Sequence, residues 1–275
     1  MVTVHVNTAL VHDKMGAAAK AISSFEFALG LDPDDAHARY HYACALQRQG
    51  RQADAVKQLT RLIQTDPEHV RAKLDLGNLY RGQGRFKEAV RLHRAAVDAA
   101  PKDYSIWMAL AVSLRAHGQV VEAVNTFEYA MHIEPTKADG PLALAETLVA
   151  ATRHHEAQHY FRSAIRIAPA NEMAALGMGK MFKSRGDADK ASQSFELAVR
   201  VRPQNAEAHT ELCNIRLHQH RFAEAEHMAR SAIKAAPSQA GNWRVLVSAL
   251  KGLGQHSKAD QAYQDAQSQR LDEPL

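Results

Sequence analysis

The sequence predicts an all-α solenoid of antiparallel helix pairs, and three observations predict it. Seven of the nine prolines, Pro33, Pro67, Pro101, Pro135, Pro169, Pro203 and Pro237, stand 34 residues apart. A fixed period of that length marks one supersecondary unit copied end to end. Counting 34 places from residue 2 gives eight units, 2–35, 36–69, 70–103, 104–137, 138–171, 172–205, 206–239 and 240–273. Place 20 is alanine in all of them, from Ala21 and Ala55 to Ala225 and Ala259, and place 15 is glycine in six.

Helix A of each unit reads from apolar places 4, 7, 8 and 11, as in Trp107, Leu110, Ala111 and Leu114. Its stop is the place-15 glycine (Gly16, Gly50, Gly84, Gly118, Gly186, Gly254), because glycine takes a positive φ at little cost. Helix B carries the alanine at place 20, a bulky knob at place 24 (Phe25, Leu59, Phe127, Phe161, Phe195, Tyr263) and a second alanine at place 27. Residues three and four apart lie on one helix face, so these places form a single stripe. His93 and Ala229 depart at the knob, and Leu62 departs at place 27. The repeated proline then ends helix B, since it offers no amide donor and restricts the residue before it.

The pattern Trp107, Leu110, Ala111, Leu114, Gly118, Ala123, Phe127, Ala130, Pro135 resembles the tetratricopeptide repeat, and the resemblance covers residues 2–273. Four features depart from it: Thr152 and His220 at place 15, Pro141 in the first turn of a helix A, and the missing proline of unit eight. Proline in a first turn is tolerated, because its donor would be unpaired anyway. The resemblance implies a right-handed superhelix whose inner wall is lined by helix A at places 2, 5, 9, 12 and 13. It also implies a protein-binding scaffold.

Composition fits a helical array. With 46% hydrophobic and 23% charged residues the chain fills a continuous core, although no unit buries its own face alone. The start, MVTVHVNTALVHDKMG, lacks the basic opening and apolar run of a signal peptide, and no stretch approaches the ~20 apolar residues of a membrane span. The expectation is a cytoplasmic protein without membrane insertion. Cys44 and Cys213, five repeats apart, are not expected to pair, in keeping with a reducing compartment.

His155, Glu156, Ala157, Gln158 and His159 spell HExxH, a spacing that sets two zinc ligands on one helix face beside a glutamate base. The repeat frame gives a simpler origin. Glu156 and Ala157 occupy places 19 and 20, and the same pair recurs as Glu88 and Ala89, Glu122 and Ala123, and Glu224 and Ala225. No phosphate loop, nucleophile elbow or opposed carboxylate pair stands elsewhere. The sequence therefore predicts no catalytic residue, no metal site and no cofactor.

What remains is the inner surface. Place 5 carries an apolar stripe, Val6, Tyr40, Leu74, Met108, Leu142 and Leu176, flanked at place 9 by Asn78, Val112 and Lys180. Arg48, Arg81, Arg115, Lys183 and Lys251 add a basic edge. The expected ligand is a protein or peptide segment, acidic and amphipathic. A net charge of +4 over 275 residues is too dilute, and the aromatics too sparse, to favour nucleic acid. Two variants of the repeat's groove are not matched: the carboxylate clamp for chaperone tails keeps Asn78 but has Leu74, Ala109, Asp139 and Ala143 at its other positions, and the asparagine ladder of glycosyltransferases is missing. Rival expectations are a self-assembling homo-oligomer and the recruiting arm of a larger transferase or secretion assembly.

Overall fold

The computed structural model describes residues 1–269 and 271–273, and among them sixteen α-helices follow one another without a strand. They divide into two compact units, Met1–Pro135 and Thr136–Leu275. The first holds α1 (Val2–Lys14), α2 (Ala18–Leu31), α3 (Ala36–Arg48), α4 (Gln52–Thr65), α5 (Val70–Gly82), α6 (Phe86–Ala99), α7 (Tyr104–Ala116) and α8 (Val120–Ile133). The second holds α9 (Asp139–Ala150), α10 (His154–Ile167), α11 (Glu172–Ser184), α12 (Ala188–Val201), α13 (Ala206–His218), α14 (Phe222–Ala235), α15 (Ala240–Gly252) and α16 (His256–Ser268). Odd-numbered helices are helix A of a repeat and even-numbered ones helix B.

Local chemistry sets the boundaries. Helix A is capped from place 34 of the preceding repeat: the side chains of Asp35, Asn171 and Asn205 accept the amides of Ala38, Ala174 and Ala208 at 2.8, 3.1 and 2.9 Å. Each such cap is worth about 1 kcal/mol, because it satisfies one orphan donor of the first turn. His69 does the same through Nδ1, which accepts from the Ala72 amide at 3.1 Å. At the other end every place-15 residue has positive φ: the six glycines, and also Thr152 at 60° and His220 at 57°. The turn is therefore fixed by the fold, and the two non-glycine residues occupy it under strain.

The core follows the alanine stripe. Every place-20 alanine is buried, and Phe25, Phe127, Phe161 and Phe195 fill the space beside them. His93 is equally buried. Tyr263, expected as a knob, is instead 44% exposed, because among the described residues no later helix A packs over α16.

Two further rules were not apparent from the sequence pattern. Place 3 is buried in six units by the preceding helix B, as at Ala38, Ile106 and Ala208. Place 4, read as a core position, also clamps the turn before it. Trp107 and Trp243 donate indole N–H groups to the carbonyls of Pro101 and Pro237, each at 2.8 Å, and His209 Nε2 donates to Pro203 at 2.9 Å. The proline that ends one repeat thus supplies the acceptor that seats the next.

Candidate functional site

In the first unit α3, α5 and α7 present the predicted residues side by side. Tyr40, Leu74 and Met108 are half-buried at place 5, with Asn78 and Val112 half-buried at place 9. The Tyr40 hydroxyl donates to Asp75 at 2.8 Å, tying α3 to α5. Burial, then the Asp75 bond, push the phenol upward, and burial likewise raises the Asp75 carboxyl against the opposing pull of Tyr40. The rings of His69 and His41 lie 5.1 and 5.4 Å from Tyr40, so this end of the surface is aromatic.

In the second unit Leu142 is half-buried, while Leu176 is only 4% exposed. The continuous stripe is thus corrected there: Leu176 belongs to the wall of a pocket rather than to an open strip. That pocket, of about 290 Å³, lies between α9 and α11 and is lined by Val149, Phe161, Met173, Leu176 and Met181, with Glu146 and Lys180 at its polar rim. Glycine at position 177 explains it. A Cβ there would come within 2.7 Å of Phe161 Cε1, so the ring lies directly beneath the backbone. Met173 at place 2 is exposed over the same opening. Neither Phe161, assigned to the core as a knob, nor Met173 was singled out for this surface, although a glycine at place 6 above a place-24 ring is the signal.

The basic edge is the second correction. Arg48 is ion-paired with Asp13, Lys180 with Glu207 at 2.5 Å and Lys183 with Glu211 at 2.5 Å. Arg81 Nη2 donates to Asn78 at 3.3 Å, and Arg115 is half-buried. Carboxylates about one repeat away thus pair with Arg48 and Lys183 of the five edge cations, and with Lys180 beside them, and the pull on an acidic ligand shrinks at those places. These partners lie 27, 28 and 35 residues away, close to one period, which is how adjacent helix A segments meet.

The HExxH carboxylate is engaged too. Glu156 takes two hydrogen bonds from Arg153, at 2.7 and 2.6 Å, which hold it below its usual range. Arg85 with Glu88 and Arg221 with Glu224 repeat the arrangement between places 16 and 19. Among the described residues no three His, Cys, Asp or Glu side chains converge as a metal site. Both cysteines are free. No described helix is long and apolar enough to cross a membrane.

Stacked helix pairs, the left-handed turn at place 15 and the alanine-lined contacts define the class: a tetratricopeptide-repeat array. Residues 3–246 match the family of the cilia and flagella-associated protein 70 C-terminal domain, and the chain belongs to that family. No curated protein sequence gives a significant match. Among solved structures the chain is similar to a tetratricopeptide repeat protein from Parabacteroides merdae, with TM-score 0.68 and 13% identity over 90% of this chain and 98% of that one. YrrB, described as a TPR protein with an unusual peptide-binding site, gives TM-score 0.54 and 18% identity over 67% of this chain and 95% of its own. MamA from Desulfovibrio magneticus RS-1 gives 0.59 and 18% over 62% and 96%. At these identities the likeness is one of fold.

Proposed function

We infer that the protein is a non-catalytic scaffold that binds a peptide segment of a partner along its helix A faces. The observation that carries this reading is the pocket over Phe161. Its floor and walls are apolar, and its size suits one bulky side chain of a ligand. The half-buried Leu74, Met108 and Val112 of the first unit support it with a second apolar surface on the same helix faces. Because Arg48, Lys180 and Lys183 already hold carboxylates, apolar anchoring rather than charge supplies most of the affinity.

The description of the family as the C-terminal domain of a cilia and flagella-associated protein favours one second reading. In it the array is the recruiting module of a larger assembly.

A display library of random peptides, selected on the full chain, tests the reading. Selected peptides should lose at least about tenfold in affinity, or about 1.4 kcal/mol, on the triple variant Leu74→Ser, Met108→Ser, Leu142→Ser and on Met173→Glu. Charge reversal at Arg81 and Arg115 should weaken binding less. Full-strength binding to both the triple variant and Met173→Glu would move the site to the helix B faces or the turns.

A further inference from the structure

Away from the helix A faces, α6 and the turn that joins α7 to α8 border a recess of about 370 Å³. Lys87, Arg91 and Arg94 line one side of it around the buried Val90, and His117 and Gln119 line the other. The three cations stand at places 18, 22 and 25 of the repeat, four and three residues apart, so they share one face of α6.

Like charges at that spacing repel one another, and the other repeats avoid the arrangement. Among the eight B helices α6 alone has lysine or arginine at all three places. The same places of α4 hold Ala53, Lys57 and Thr60, and those of α8 hold Val121, Asn125 and Glu128. Lys57 is moreover paired with Asp54 at 3.5 Å. The positive charge is concentrated at one recess and does not run on as a track over α4 or α8.

The nearby carboxylates leave most of that charge unanswered. Glu88, also in the lining, accepts from Arg85 Nε at 3.0 Å, and Arg91 pulls on it more weakly than Arg85 does. Glu122 takes Arg94 at 2.5 Å and the Gln119 amide at 3.1 Å. Among the described residues no hydrogen bond or ion pair engages the side chains of Lys87, Arg91 or His117, and all three are exposed. Two unpaired cations and an imidazole, which has an N–H to donate whether neutral or charged, therefore border one opening.

A phosphate monoester answers that set. It carries close to two negative charges near pH 7 and three strong acceptor oxygens, which arginine and lysine hold by charge-assisted hydrogen bonds. A phosphodiester strand or a bilayer presents a row of charges and calls for a row of cations, which α4 and α8 do not continue. The recess is also larger than a phosphoryl group alone fills, leaving room for the residue that bears it. We propose that this recess binds a phosphorylated side chain of a partner protein, with Lys87 and Arg91 on the phosphate oxygens and His117 donating from the turn. Because the surface lies on helix B and a turn, its test is independent of peptide binding along the helix A faces.

Nuclear magnetic resonance of the labelled full chain, titrated with N-acetyl-O-phosphoserine amide, tests the site. The backbone amides of residues 87–94 and 117–119 should shift to saturation, and N-acetylserine amide should leave them in place. Lys87→Gln with Arg91→Gln should weaken binding about tenfold or more, since the charge-assisted bonds are lost. Neither side chain enters the core, so helicity and the thermal midpoint should not fall. Glu122→Gln, which releases Arg94, should strengthen binding, whereas Arg162→Gln with Arg166→Gln, the same loss of charge on α10, should leave it unchanged. Absence of a saturable shift, full affinity in the Lys87 and Arg91 variant, or an equal loss in the α10 variant would overturn the site. Peptides selected from a library with a central phosphoserine should bind more tightly than inorganic phosphate and lose binding on dephosphorylation. Inorganic phosphate binding as tightly as those peptides would overturn a partner protein as the carrier. So would phosphatidylcholine vesicles bearing a monophosphorylated phosphoinositide, if they retain the chain but not the Lys87 and Arg91 variant.

Discussion

The repeat that ends at α6 and the one that ends at α12 solve the same packing problem with different chemistry. In both, place 8 of helix A is glycine and the knob of helix B sits directly under it. A Cβ on Gly179 would come within 2.6 Å of Phe195 Cε1, and one on Gly77 within 2.6 Å of His93 Cδ2. Phe195 fills its site by volume alone. His93 fills the equivalent site as an imidazole bound at both nitrogens, with Nε2 3.2 Å from the Leu74 carbonyl and Nδ1 3.0 Å from the Ser113 hydroxyl. A carbonyl only accepts, so Nε2 carries the proton and Nδ1 accepts from Ser113. The repeat thus demands a ring-sized group at place 24, and it admits a polar ring where the next helix A offers a partner at place 10.

Swapping the two knobs breaks the comparison most severely at the apolar site. The counterpart of Ser113 there is Ile215. Phe195→His should lose about 3 kcal/mol, since it removes packed ring volume and strands an imidazole nitrogen. Urea unfolding would measure this, and adding Ile215→Ser should restore part of the loss. If Phe195→His is neutral, volume and not polarity sets the rule.

The reverse change sharpens the comparison through pH. Burial, outweighing the Leu74 hydrogen bond, lowers His93 from 6.5 to about 4. The unfolded chain therefore takes up this proton before the fold does. The contribution of neutral His93 is fully present above pH 6.5 and is lost as pH falls towards 4. Between pH 7 and 4.5 the loss should be about 2 kcal/mol, at 1.36 kcal/mol for each pH unit, discounted for relaxation around the ring. His93→Phe should remove that component, so the stability difference between variant and wild type should widen in the variant's favour on acidification. Parallel pH dependences would show that the ring titrates normally.

Place 15 offers the smallest and simplest version of the same test. Six repeats use glycine for the positive φ, whereas Thr152 and His220 adopt it with side chains. Thr152→Gly should stabilise by about 1 kcal/mol, because a β-branched residue is the least suited to that region. A fall in the unfolding midpoint would mean that Thr152 has a compensating role.

Much of this was legible in the chain. Place 15 needs φ > 0 and place 20 needs a methyl group, so the requirement repeats every 34 residues and shows as Gly118 and Ala123 and their equivalents. The inner surface was half legible. Tyr40, Leu74, Met108, Asn78 and Val112 line up on α3, α5 and α7, but Leu176 sinks into the wall of a pocket opened by Gly177. Arg48 and Lys183 read as part of a basic edge because their carboxylate partners, Asp13 and Glu211, stand about a full repeat away.

The sequence by itself determined the period, the helix pairs and their turns, since each follows from spacing within one repeat. Only the tertiary structure decided which cations are neutralised and that His93 is a neutral core ring. Those outcomes depend on what the neighbouring repeat brings within contact distance, and a side chain's charge and exposure are set by that neighbour as much as by its own identity.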